Sequence, residues 1–477
     1  MKIQYILFIC FFSLYGCGND WLDLSPNTSV DSDKAITALS DVEFAANGLY
    51  DTMQSSNYYG DQMTYYGDLT ADDMRSYKTT STGASYYQFK YHKENATNSF
   101  WSVYYSIAKN VAIALESMDK LDIQAGKEFI TPSGRKTTED KYYNENRGQI
   151  LAIRALALFD MTRLYGYPYQ KDQGASLGVP IVKSVVDKES KPVRNTVKEC
   201  YDAILEDLNE SLQLINEERY DGKLNKWAVL NLISRIYLYM GENEKALVAA
   251  EEGLAGAKQY GFVLATHEEY PLMWAKPFNN EFLFEIVNLT TDSPGKNSIG
   301  YHYRKFNMIA TTSFFKNYLA KSEDIRKSVV STDSSSKPYC DKFPEQEGKS
   351  FEDCNVVVFR MSELYLNAAE AAVKLGNQEK AALYFLPIYA RTNTEWDGRD
   401  ITLADVLEQR RIEFWGEGHR FFDLLRNNLR VERTDYLESV ATDARSFDWD
   451  FYRIVLPIPR KETNLNGNIT QNPGYGD

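Results

Sequence analysis

Cysteine and histidine are scarce in this chain, whose 477 residues include five of the first and four of the second. The histidines stand at 92, 267, 302 and 419, and together with Cys200, Cys340 and Cys354 they make no spacing that a metal site requires. Also missing are the glycine-rich phosphate loop, the dinucleotide fingerprint and the nucleophile-bearing serine turn of the hydrolases. Basic residues are outnumbered, 53 Lys and Arg against 67 Asp and Glu, for a net charge of −14. A surface of that sign repels phosphate backbones, which argues against nucleic acid as a partner and against binding anionic lipid through its own charge. Long apolar runs are lacking too, apart from one at the amino terminus.

There Lys2 is followed by an apolar run from Ile3 to Leu14, interrupted by Gln4 and Ser13. The run is too short to span a bilayer and has the shape of a signal peptide. Leu14-Tyr15-Gly16-Cys17 matches the cleavage box of a bacterial lipoprotein, so residues 1–16 read as leader and Cys17 as the acylated first residue of the mature chain. Cleavage removes Lys2 and makes the balance one unit more negative. Outside the cytoplasm Cys340 and Cys354, which flank a polar loop, are free to form a disulfide. Cys200 falls on the apolar face of a helix and reads as a buried thiol.

What the chain does have is helical periodicity. Trp227, Leu230, Ile233, Ile236 and Tyr237 form one stripe that ends at Gly241. After the turn, Ala246, Ala249, Ala250 and Ala257 supply small side chains at helical spacing, so that two helices can approach closely. This unit resembles a tetratricopeptide hairpin. It returns where Gly376-Asn377-Gln378-Glu379-Lys380-Ala381 repeats Gly241-Glu242-Asn243-Glu244-Lys245-Ala246. Further amphipathic stretches predict helices over 33–54, from Asn98, over 145–165, from the capping residue Thr196, and over 403–415. The fold class is mainly α, with residues 17–477 as one domain. Its hairpins lie near 145–166 with 196–216, 225–257, 359–391 and 403–427. Residues 124–144 read as an exposed excursion.

Two loop-rich stretches, 57–97 and 266–304, break the helical pattern. Ten of the 34 tyrosines fall between 58 and 105, interleaved with Asn57, Asp61, Asp72, Asp73 and Arg75. Sugar rings pack their C–H faces on aromatic rings, and their hydroxyls pair with planar polar groups. Tyr77, Trp274, Tyr301 and Tyr303 are therefore the expected platforms, with Asp73 and Arg75 as polar partners. Trp101, Trp227 and Trp415 are assigned to the core.

Four blocks carry a family likeness. They are Ala155 to Gly166 with Gly178-Val179-Pro180; Lys226-Trp227-Ala228 through Tyr237-Leu238; Phe359 to Ala371; and Arg410-Arg411-Ile412-Glu413-Phe414-Trp415-Gly416-Glu417-Gly418-His419-Arg420-Phe421-Phe422-Asp423-Leu424-Leu425-Arg426. With Leu456-Pro457-Ile458-Pro459 and Gln471 to Gly476 they make the mature chain resemble the SusD/RagB outer-membrane lipoproteins of Bacteroidetes. The resemblance implies a SusD-like fold with tetratricopeptide-like hairpins on one side and ligand-binding loops on the other. It also implies a glycan-binding lipoprotein, anchored at the cell surface, that captures oligosaccharide and acts as the lid of a SusC-like TonB-dependent transporter. No cofactor and no catalysis are expected.

Three rival readings remain at this level. The same scaffold could capture peptides, as RagB-like members do. It could be a helical glycoside hydrolase using Glu413, Glu417, His419 or Asp423, although the neighbouring Arg410, Arg411, Arg420 and Arg426 would keep those carboxylates ionised. A bare helical adaptor is the third, expected if the tyrosine loops are buried.

Overall fold

The computed structural model describes residues 36–95, 99–187, 189–305, 307–321 and 323–476. Cys17, the leader and the start of the helix expected over 33–54 lie outside them; its described part is Asp41–Met53. Among the described residues there are seventeen α-helices and ten strands of two to five residues, the strands joined in five separate antiparallel pairs. No helix among them is long and apolar enough to cross a membrane. One apolar core includes residues from Ile36 to Tyr475, and a small second cluster gathers around Trp274.

The helix Lys226–Met240 begins where the Asn225 side chain accepts hydrogen bonds from the N–H groups of Trp227 and Ala228. It ends at Gly241, whose φ of +81° turns the chain back into Asn243–Gln259. Gly256 lies against the Trp227 ring, where any Cβ would collide, and Gly253 lies against Leu364. The pair Met361–Lys374 and Gln378–Tyr389 repeats the design, with Asn377 capping the Lys380 N–H. Met361–Lys374 packs against both helices of the first pair. A polar seam crosses that packing: Arg235 donates to both Glu363 oxygens at 2.6 and 2.7 Å, and Asn367 Nδ2 donates to Ser234 Oγ at 2.8 Å.

Two helix boundaries differ from the sequence reading. The stretch 124–144 is not wholly excursion, because Glu128–Ile130 and Lys136–Thr138 pair as a hairpin that leads straight into a helix Glu139–Tyr165. Glu139 and Asp140 suit its first turn, where the helix dipole favours negative charge. The last pair is two helices, Leu403–Glu413 and Arg420–Arg426, parted by a turn in which Gly416 and Gly418 have φ of +84° and +79°. The strand pair Met74–Ser76 and Met308–Ala310 brings the first tyrosine-rich loop beside the segment that follows the second.

The disulfide that the spacing permits is not formed. Cys340 and Cys354 are both free and buried, Cys340 against Gly416 and Cys354 against Gly300. Each thiol packs into its own glycine-lined gap, and burial pushes both up to about 12.

Arg235→Ala would leave the Glu363 carboxylate unpaired in the core and is expected to cost about 3–5 kcal/mol. The double change Arg235→Met with Glu363→Leu should recover most of that. Urea unfolding of the three proteins measures both effects, and a single variant as stable as the parent would refute the assignment.

Candidate functional site

The residues that could have formed an acid/base pair lie inside the protein beneath arginines. Glu413 is fully buried, accepts from Arg360 Nη1 at 2.6 Å and also from Arg391 Nη1. Burial alone would raise its pKa, but Arg391, Arg360 and Arg326 outweigh that and hold the carboxyl far below the usual range. Asp423 is likewise held low: burial opposes ionisation, and Arg410 at 2.9 Å and Arg426 at 2.8 Å overcome it. Glu417 bridges Arg360 and Lys342. Burial and then the charges of Arg235 and Arg410 push His419 well below its ordinary value, and its ring stacks on Phe414 with centroids 4.5 Å apart. A glycosidase needs two carboxyl groups facing a shared substrate, one of them protonated. Carboxylates locked to guanidinium groups inside a core do not meet that need.

Three of the expected glycan contacts are also core residues. Trp274 is 2% exposed, at the centre of the small second cluster with Tyr270 and Phe282. Lys342 and Arg360 lie over its ring at 5.0 and 5.5 Å. Tyr303 is wholly buried and donates its hydroxyl to the Gly416 carbonyl at 3.2 Å. Asp73, 1% exposed, accepts from Arg411 Nε at 2.7 Å and has Arg420 at 3.3 Å. Tyr77, Tyr301 and Arg75 stay half-buried. Tyr77 N–H donates to the Asn307 carbonyl at 2.9 Å, and Arg75 Nε lies 3.3 Å from Asp435. Tyr301 adjoins His302, whose Nε2 is 3.2 Å from Asp61; burial pushes that carboxyl up to about 6 against the pull of His302.

A cleft lies in another part of the same loops; Tyr86 is its half-buried ring, while Tyr65, Tyr91 and Tyr165 reach it from the core at 2–5% exposed. The cleft, of about 200 Å³, is walled by the rings of Tyr65, Tyr86, Tyr91 and Tyr165, with Gln62, Ser85, Lys90 and Asn95 set between them. Tyr86 stands 6.3 Å from Tyr65 and 6.2 Å from Tyr91, at interplanar angles of 49° and 57°, so the rings form a faceted wall. Its hydroxyl donates to Gln62 Oε1 at 3.0 Å, and Gln62 Nε2 donates to Asn57 at 3.0 Å. Asn95 is held by its bonds to the His92 N–H and the Lys90 carbonyl. Gly83, at φ +75°, turns the chain at the edge, where a Cβ would meet Leu69, Tyr65 and Met308. Rings and fixed amides can hold a hydroxylated ring, and among the described residues that line the cleft there is no acid pair.

The sequence names Tyr65 and Tyr86 within the first tyrosine-rich loop but does not single them out as contacts. It gave no sign of Tyr165, Leu456 or Pro457, which line the cleft from a core helix and the carboxy-terminal segment.

A helical scaffold with a tyrosine-walled cleft in its loops is one class of protein, and comparison with known sequences and structures identifies its family. The SusD family model matches residues 287–475, and a second model, described as starch-binding associating with outer membrane, matches residues 20–238. A Bacteroides vulgatus protein described as a candidate for sugar binding is 44% identical and superposes with a TM-score of 0.86, over 92% of this chain and 99% of its own. A SusD superfamily protein from Bacteroides thetaiotaomicron is 32% identical, with a TM-score of 0.84 over 92% of this chain and 100% of its own. SusD-like protein P38 of Formosa agariphila is 22% identical, over 100% of this chain and 99% of its own. The chain belongs to the SusD/RagB family.

The Glu413 environment has a measurable sign. Its folded pKa lies below the unfolded value, so the stability it contributes is complete above about pH 4.5 and is lost as pH falls toward the folded value. The stability gap between the parent and Glu413→Gln is expected to be full at pH 7 and to close below about pH 4.5. Urea midpoints of both proteins across that window measure it; a gap that stays constant would refute the pairing.

Proposed function

We propose that this protein captures oligosaccharide at the outer surface of the outer membrane and passes it unaltered to a SusC-like TonB-dependent transporter, over which it acts as a lid. In this reading the acyl group on Cys17 anchors the chain and no chemistry is done on the ligand. The observation that carries the proposal is the cleft, where the half-buried Tyr86 ring stands beside the Gln62 and Asn95 amides. Family membership supports it, as do the sugar-binding and starch-binding descriptions of the relatives. The arginine-saturated acid cluster speaks against an enzyme. Tyr77 and Tyr301, with Arg75, are proposed as an outer rim for a longer chain, since Met308, buried beneath Gly83 at the edge of the cleft, belongs to the strand pair that carries Arg75.

Calorimetric titration of the mature chain against a glycan library tests the reading. Tyr86→Ala is expected to weaken binding about tenfold because one stacking face is lost; since the ring also packs against Tyr65, Tyr66, Tyr91 and Phe100, the two proteins are compared at a temperature where circular dichroism shows both folded. No reducing ends should appear on long incubation. Binding confined to a peptide library would instead favour the RagB-like alternative, and release of shortened sugars would refute a pure binder. Delivery is tested separately by uptake of labelled glycan in cells carrying Cys17→Ala, which should release the protein from the membrane and lower uptake.

A further inference from the structure

We propose that the glycan taken by this cleft is anionic, bearing a uronate carboxylate or a sulfate ester on the sugar that meets Lys90. The inference rests on the glycan-capture reading above and names the class of ligand within it. Its ground is how charge is distributed in an acidic protein. Most arginines around the first tyrosine loop already have carboxylate partners: Arg411 and Arg420 hold Asp72 and Asp73, Arg75 faces Asp435, and Arg460 reaches Glu94. The cleft differs from these surroundings. Among the described residues its lining contains no carboxylate and a single cation, Lys90.

The Lys90 backbone is engaged at both ends, its N–H donating to the Ser85 carbonyl and its own carbonyl accepting from Asn95. Its ammonium group forms no ion pair with any described residue, although 67 acidic residues are present in the chain. An exposed cation on the lining of the cleft, with Tyr86 and the amides that would orient a sugar on the same lining, fits a ligand that brings its own negative charge. A charge-assisted hydrogen bond there is roughly twice as strong as one to a neutral hydroxyl. Lysine is a compact point charge without the fork geometry of arginine, so a carboxylate and a sulfate suit it equally.

The test is calorimetric titration of the mature chain with size-matched pairs. One pair is an oligogalacturonate and its carboxyl-reduced counterpart, the other a sulfated galactan oligosaccharide and its desulfated counterpart, both set beside a panel of neutral oligosaccharides. We expect the charged member of at least one pair to bind about tenfold more tightly than its neutral counterpart, and the pair that responds distinguishes carboxylate from sulfate. Lys90→Gln should erase that ratio and Lys90→Arg should keep it, both with unchanged melting temperature because the side chain is exposed. Neutral members binding as tightly as charged ones, or a ratio unaffected by Lys90→Gln, would overturn the inference and leave glycan capture standing. Failure of every oligosaccharide to bind would overturn both.

Discussion

Arg360 holds together parts of the chain that are distant in sequence. It is the last residue of the strand Val356–Arg360 and immediately precedes the helix Met361–Lys374. Its guanidinium group reaches Glu281 at 2.9 Å, Glu413 at 2.6 Å and Glu417 at 2.8 Å, which lie before the strand Phe282–Ile286, at the end of the helix Leu403–Glu413 and in the glycine turn. Arg391 joins Glu281 and Glu413 a second time. Burying this much charge is costly, and a well-packed apolar cluster could be as stable. The array is better understood as a constraint on geometry, since each member is satisfied only when strand, hairpin and carboxy-terminal helices take one mutual arrangement.

The same device positions the loops that form the cleft. Asp72 and Asp73 are bound to Arg420 and Arg411, Asp68 accepts from the N–H groups of Gly416 and Gly418 at 2.9 Å each, and Arg433 donates to the carbonyls of Leu69, Ala71 and Tyr87. The first tyrosine loop is therefore fastened to the carboxy-terminal helices along much of its length. Its rings sit in fixed positions before any ligand arrives, which lowers the entropy lost on binding. Arg411 and Arg420, from the block that looks catalytic in the sequence, thus serve to hold the loop of the cleft in place.

The tyrosines show how residue type and residue role separate. Tyr58, Tyr59 and Tyr66 share the loop and composition of Tyr86, yet all three are buried, and Tyr58 donates to Asp160 at 2.7 Å. Trp274 and Tyr303 were attractive because they stand in an irregular stretch with other aromatics, but irregular backbone can fold its rings inward as readily as outward. Of the ten tyrosines between 58 and 105, seven are buried and Tyr77, Tyr86 and Tyr105 stay half-buried, so the bare-adaptor reading keeps part of its premise and the cleft depends on Tyr86.

The helical hairpins were legible because their cues are local. Apolar residues three and four apart, Asn225 and Thr196 as caps, and glycines at the turns act within a few residues of one another and need no distant partner. The family likeness was legible for a related reason, since its blocks are continuous in the chain. Which rings face solvent, which thiols pair and which carboxylates stay open were decided by tertiary packing. Cys340 and Cys354 each met a glycine gap instead of each other, and the cleft draws its wall from positions as far apart as Gln62 and Pro457. Exposure is a property of what lies on the other side of a side chain, and in a fold closed by long-range ion pairs that neighbour is a segment hundreds of residues away.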